Sequence, residues 1–273
     1  MEILQGLVLA LIIVAFDTRT HLIQAQSDPK EFISLDCGLH HAVSPYTEPL
    51  TGLTYTSDAN FTQAGQSGRV QKVWEGSYKP FTVLRYFPEG IRNCYNLRVT
   101  PSKKYLIKAL FLYGNYDGLN DGLIFDLYLG PNIWTTVDLK TSISSKTEEI
   151  IHTPKSSSLQ ICLVKTGKST PIISALELRP LRDDTYITTN GSLKLLKRYY
   201  ASDFLGPSIR FLQCTVELVM TQSSTLPPMI NAMEAYRIIE FPDEETNPED
   251  GESSGSTLKW ASRLKIAVEA AQG

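Results

Sequence analysis

Tyr105 to Gly130 reads YLIKALFLYGNYDGLNDGLIFDLYLG. Tyr105 to Tyr113 is a nearly continuous apolar and aromatic run, the pattern of a buried strand. Phe125 to Leu129 alternates instead, with Phe125, Leu127 and Leu129 on one face and Asp126 and Tyr128 on the other. Between them lie Asn, Asp and Gly, residues suited to turns. The stretch therefore predicts a strand, a turn-rich loop and a second strand. That loop gathers Tyr113, Asn115, Tyr116 and Asn120 beside the carboxylates of Asp117 and Asp121. A loop carried on a β-scaffold is where a binding surface is expected.

Outward from this stretch the theme repeats. Phe32 to Gly38, Thr82 to Phe87, Asn93 to Val99, Ile133 to Leu139, Glu149 to His152, Leu159 to Lys165 and Ile172 to Arg179 read as short strands. Residues 40 to 69, rich in Pro, Thr, Ser and Gly, read as loops with brief extended pieces, and Gly65 to Gly68 as a turn. No amphipathic helix interrupts them. The pattern predicts an all-β sandwich or jelly roll closing near Pro180.

The 273 residues are 42% hydrophobic and 10% aromatic, with thirteen tyrosines, which suits a globular β-protein. A net charge of −3 offers no electrostatic attraction to nucleic acid or an anionic membrane. Leu7 to Phe16 is an unbroken apolar run, about half of the ~20 residues a membrane-spanning helix needs. It fits the core of a secretory signal peptide over residues 1–25, cleaved after Ala25. Secretion would place Cys37, Cys94, Cys162 and Cys214 in an oxidising compartment, with three complete pairings open. Asn60-Phe61-Thr62 and Asn190-Gly191-Ser192 are N-glycosylation sequons, which makes Asn60 and Asn190 glycan acceptors in a secreted chain.

Several motifs carry a family resemblance. Phe32-Ile33-Ser34-Leu35-Asp36-Cys37-Gly38, Pro45-Tyr46-Thr47, Tyr55-Thr56-Ser57-Asp58 and Leu84-Arg85-Tyr86-Phe87-Pro88 are four of them. Gly90 to Tyr95, Tyr113 to Gly118 and Leu176 to Pro180 follow in the same order. Together they resemble the extracellular malectin-like domain of plant leucine-rich-repeat receptor kinases, over about residues 31 to 200. The resemblance implies a malectin-like jelly-roll β-sandwich over residues 31–182. It also implies a second, incomplete module at 183–240, of which Arg198-Tyr199-Tyr200 and Asn231 to Tyr236 are remnants. So short a remnant is expected to dock on the first module through Val216, Leu218, Ile238 and Ile239, or to be poorly ordered. By the same comparison Cys214 has lost its partner. Residues 241–257 carry six acidic and no basic side chains and read as a disordered linker. Residues 258–273 show helical periodicity at Trp260, Leu264, Ala267, Val268 and Ala271, behind Thr257 as N-cap. They resemble a fragment of a receptor-kinase domain. The whole is expected to be a truncated receptor.

Catalysis finds little support. A kinase needs a Gly-rich phosphate loop, a strand lysine, a catalytic aspartate loop and a metal-binding aspartate, and none occurs. Adjacent His40 and His41 would point to opposite faces of an extended segment. As a calcium loop the Asp117 to Asp126 cluster fails, because Tyr128 stands at the twelfth position. The expectation is a non-enzyme with no cofactor and no bound metal. Aromatic rings cover the apolar faces of sugars while amides and carboxylates take their hydroxyls. Tyr113, Asn115, Tyr116 and Asp117 are therefore the candidate ligand-binding residues, for a cell-wall carbohydrate or a peptide. Three alternatives stand beside this: Tyr113 and Tyr116 are core-edge packing, the chain is a fragment that pairs with full-length receptor kinases at the cell surface, or it is a non-functional gene remnant.

Overall fold

The computed structural model describes residues 32–72, 78–141, 143–188, 191–200, 208–211, 214–217, 219, 222–223 and 232–241. The expected signal peptide, Asn190, the acidic stretch beyond Phe241 and the helix expected at 258–273 fall outside these residues.

Seventeen strands are formed among the described residues: β1 (Ile33–Asp36), β2 (Tyr46–Thr47), β3 (Thr54–Ser57), β4 (Gln66–Arg69), β5 (Val83–Tyr86), β6 (Arg92–Arg98), β7 (Tyr105–Leu112), β8 (Leu123–Leu129), β9 (Asn132–Leu139), β10 (Ser145–His152), β11 (Ser158–Val164), β12 (Ile172–Ile173), β13 (Ala175–Pro180), β14 (Ser192–Tyr200), β15 (Ser208–Phe211), β16 (Cys214–Glu217) and β17 (Ala232–Ile239). An eight-stranded sheet runs β17-β14-β10-β7-β13-β1-β3-β2 and a four-stranded sheet runs β6-β11-β8-β9. A three-stranded sheet, β12-β5-β4, and the hairpin β15-β16 complete the set. Among the described residues the helical pieces are 3-10 turns, such as Asp58–Asn60 and Lys79–Phe81.

β7 is buried almost throughout, as a central strand must be, because it pairs with β10 on one side and β13 on the other. β8 keeps its predicted alternation: Leu123, Phe125, Leu127 and Leu129 are buried, while Ile124 is exposed and Asp126 and Tyr128 are half-buried. The inward rows meet in one core that includes Leu35, Leu84, Tyr95, Phe111, Phe125, Leu127, Ile161 and Leu176. A smaller cluster of Tyr55, Leu110 and Ala175 lies under Tyr46, Leu53, Tyr78 and Phe81.

Three expectations are revised. Gly65 to Gly68 is not a turn: Gln66–Arg69 pairs with β5, and only Gly65 takes a positive φ. β14 and β17 join the module by strand addition. Leu193 and Lys194 of β14 pair with Ile151 and Ile150 of β10, and β17 pairs along β14. Ile238 is 56% exposed, so it is not a docking residue, while the side chains of Val216, Leu218 and Cys214 lie outside the described residues. Phe241, read as the start of the acidic linker, packs against the core with its ring 6.0 Å from that of His152.

Of the three pairings left open, Cys94 joins Cys162, at directly opposed positions of β6 and β11. Cys37 is a buried free thiol.

Candidate functional site

β7 ends where the chain must leave the sheet, and Gly114 makes the exit possible. Its φ is +55°, and a Cβ there would lie 2.2 Å from a Val70 methyl. Gln71 N–H donates to the Gly114 carbonyl at 2.9 Å, fastening the loop to the segment after β4. Asn115 and Asn120 also take positive φ, a conformation asparagine tolerates better than most residues.

The loop uses much of its own polar chemistry. Tyr113 is fully buried, and its hydroxyl donates to Asp117 Oδ1 at 2.6 Å while accepting from Asp121 N–H. Leu119 N–H also donates to Asp117 Oδ1. Asn115 Oδ1 accepts from Asn120 N–H at 2.8 Å, and its carbonyl accepts from Gly118 N–H. Burial, followed by the bond to Asp117, pushes the Tyr113 phenol up to about 12. Tyr113, Asn115 and Asp117 thus brace the loop.

Tyr116 is placed differently. It is half-buried, and its ring stands 5.0 Å from that of Tyr86 and 6.0 Å from that of Tyr113. It lies over Gly68, where a Cβ would come within 2.9 Å of the ring. Tyr86 in turn donates to exposed Gln66 at 2.7 Å. Two half-exposed rings and an amide therefore form a shelf on β4 and β5, at whose rim Asp117 is exposed. Burial, then the Asp117 charge, raises the Tyr116 phenol, so it stays neutral at physiological pH. Tyr86 and Gln66 escaped the sequence reading because the β4–β5 pairing, Gln66 opposite Tyr86, lay in the segment read as a turn.

Beneath the shelf sits a buried polar hub. Asp58 accepts from Arg85 Nε and Nη2 at 2.5 and 2.7 Å, from Tyr95 hydroxyl at 2.8 Å and from Gly38 N–H at 3.1 Å. It ties the turn after β1 and the one after β3 to β5 and β6, and so holds Tyr86 in place. Among the described residues no three His, Cys, Asp or Glu side chains are grouped so as to hold a metal.

A profile of the malectin-like domain matches residues 35–212. The chain belongs to the malectin-like family. The chain is 55% identical over 203 residues to the receptor-like protein kinase At3g21340 of Arabidopsis thaliana, covering 74% of this chain and 22% of that one. The probable LRR receptor-like serine/threonine-protein kinase At1g07550, from the same plant, is 46% identical over 263 residues, 93% of this chain and 30% of its own. The chain thus spans between a fifth and a third of the length of these relatives. A solved structure of the plant receptor-like kinase FER superposes with a TM-score of 0.49 at 18% identity, over 64% of this chain and 52% of that one. In this malectin-like module Asn60 is exposed at the end of the 3-10 turn Asp58–Asn60.

Proposed function

We propose that the chain is an extracellular recognition module, non-catalytic, that binds a cell-wall carbohydrate on the shelf of Tyr116, Tyr86 and Gln66. One observation carries this reading: two half-exposed aromatic rings 5.0 Å apart beside an exposed amide. Rings of this kind cover the apolar face of a pyranose, and the amide and Asp117 take its hydroxyls. Tyr113, Asn115 and the loop glycines serve by holding Tyr116 and Asp117 in place. A secretory route with an N-glycan at Asn60 belongs to the same reading, and a mobility shift on deglycosylation of the secreted protein checks it.

The test is a glycan array on the secreted chain with Tyr116→Ala and Gln66→Ala beside it. Binding to a defined glycan class that both variants weaken supports the shelf. Base- or sugar-type stacking on one aromatic ring is worth about 1–3 kcal/mol, so Tyr116→Ala should lose roughly ten- to hundredfold in affinity. Binding that survives both substitutions places the ligand elsewhere. No glycan bound, with co-purification of an intact receptor kinase or a peptide, replaces the carbohydrate reading with partner association.

A further inference from the structure

The outer side of the eight-stranded sheet holds a buried carboxyl group with no ion pair. Asp36 ends β1 and is fully buried. Its Oδ2 accepts from the Tyr46 hydroxyl at 2.6 Å, and its Oδ1 has no hydrogen-bond partner among the described residues. Asp58, equally buried, has the bidentate Arg85 instead. Lys79 does not supply the missing cation, since its Nζ stands 3.5 Å from the centre of the Tyr46 ring. A charged carboxylate in such a place is costly, and the group relieves the cost by keeping its proton. Burial pushes Asp36 up to about 7, helped by the Asp58 charge and opposed by the Tyr46 hydroxyl and Lys79.

Tyr46 belongs to a flap at the sheet edge. Residues 39–53 reach the sheet through β2 alone, two residues long and paired only with β3. Beyond β2 the flap is tied by side chains and single hydrogen bonds rather than by a ladder. Ser57 N–H donates to Ser44 Oγ, Ser57 Oγ to the Leu39 carbonyl and Leu39 N–H to the Asp36 carbonyl. The Tyr46 ring stacks on Tyr55 beneath Lys79 Nζ, Leu53 packs beside it, and buried Glu48 accepts from the Lys79 N–H. Val43 and Leu50 on it are exposed.

We propose that Asp36 is a proton-dependent latch under the 39–53 flap: neutral Asp36 lets the flap seal it against the sheet, and ionised Asp36 loosens it. Once charged, its buried Oδ1 needs water more than the strengthened Tyr46 bond can offset. The proposal stands apart from the carbohydrate reading. Its sign follows from linkage: the folded pKa lies above the unfolded one, so the stabilisation is complete below about pH 4. It is lost as pH rises through about 7. The groups facing Asp36 are Tyr46 from β2, Cys37 and Asp58 from the turns after β1 and β3, and Lys79 from the turn before β5. Tyr78 and Glu48 lie behind Tyr46, and His40 and His41 ride on the flap itself.

Hydrogen exchange on the full secreted chain, from about pH 5 to about pH 8 and corrected for the intrinsic chemical rate, reads the latch directly. Flap amides and those of β3 should open at least roughly tenfold more at the upper end, the effect of one pKa unit. Asp36→Asn stays neutral, still accepts from Tyr46, and should abolish that dependence. His40→Gln/His41→Gln should leave it intact. A flat wild-type profile, or an unchanged dependence in Asp36→Asn, overturns the proposal. Should Asp36→Asn fail to fold, a carbon NMR titration of the Asp36 carboxyl in the unsubstituted chain decides. A midpoint at or above about pH 6 supports the latch, and a lower one overturns it.

Discussion

Replacing Arg85 by Met would remove the one cation bound to Asp58 among the described residues while keeping most of the side-chain volume. Asp58 has no exposed side-chain surface and Arg85 only 13%, so water cannot take over the lost pairing. What remains to the carboxylate is the Tyr95 hydroxyl and the Gly38 N–H, two neutral donors. Breaking one side of a buried, hydrogen-bonded pair typically costs about 3–5 kcal/mol, a large part of a domain's stability. Urea unfolding with linear extrapolation measures it. Arg85→Met/Asp58→Leu, which buries no charge, should recover much of the loss. A single-variant loss under about 1 kcal/mol, or a double variant no more stable than the single, would refute the buried-charge reasoning.

Reducing the Cys94–Cys162 disulfide, which closes a sequence separation of 68 residues, should cost about 4 kcal/mol by the chain-entropy relation. The shift of the urea midpoint with and without reductant tests this. Gly114→Ala must strain a positive φ and displace Val70, so a loss of at least about 2 kcal/mol is expected. Gly118→Ala, at φ +74° with open space around it, should cost only about 1 kcal/mol, and thermal melts of the two compare them directly. His152, whose Nδ1 meets Ser192 Oγ at 2.7 Å, is pushed down to about 4 by burial and then by Lys155. Its folded pKa lies below the unfolded one, so its contribution is present above about pH 6.5 and lost as pH falls through about 4. That is up to roughly 3 kcal/mol, and His152→Gln should flatten this part of the urea-midpoint profile.

Much of the sandwich is legible in the sequence because its strands pattern themselves. β8 announces its two faces residue by residue, and β7 announces its burial on both sides. β4 was missed for a physical reason. Gln-Ser-Gly-Arg has no β-branched or aromatic residue, and pairing with β5 makes it a strand. β14 escaped the sequence reading because its attachment is by main-chain pairing to β10, which leaves no apolar signature. The disulfide could not be chosen either, since Cys94 and Cys162 become neighbours only through the register of β6 against β11.

The candidate site was legible as a loop and less so as a set of roles. Tyr113 drew notice as an aromatic at a strand end, yet it continues the inward row of β7 and is wholly buried. A buried phenol needs a partner, and Asp117 four residues on supplies it. The same bond that takes Tyr113 out of the binding surface also fixes the loop and leaves Asp117 one oxygen at the exposed rim. Tyr116, three residues further along a tight turn, cannot follow Tyr113 inward and comes to rest on Gly68 and Tyr86. Fold and recognition are therefore separable by substitution. Gln66 is exposed and should affect binding alone, whereas Tyr113→Phe removes the brace of Asp117 and should affect stability and binding together. Equal losses of binding and of stability in Gln66→Ala would show that the shelf is packing rather than a site.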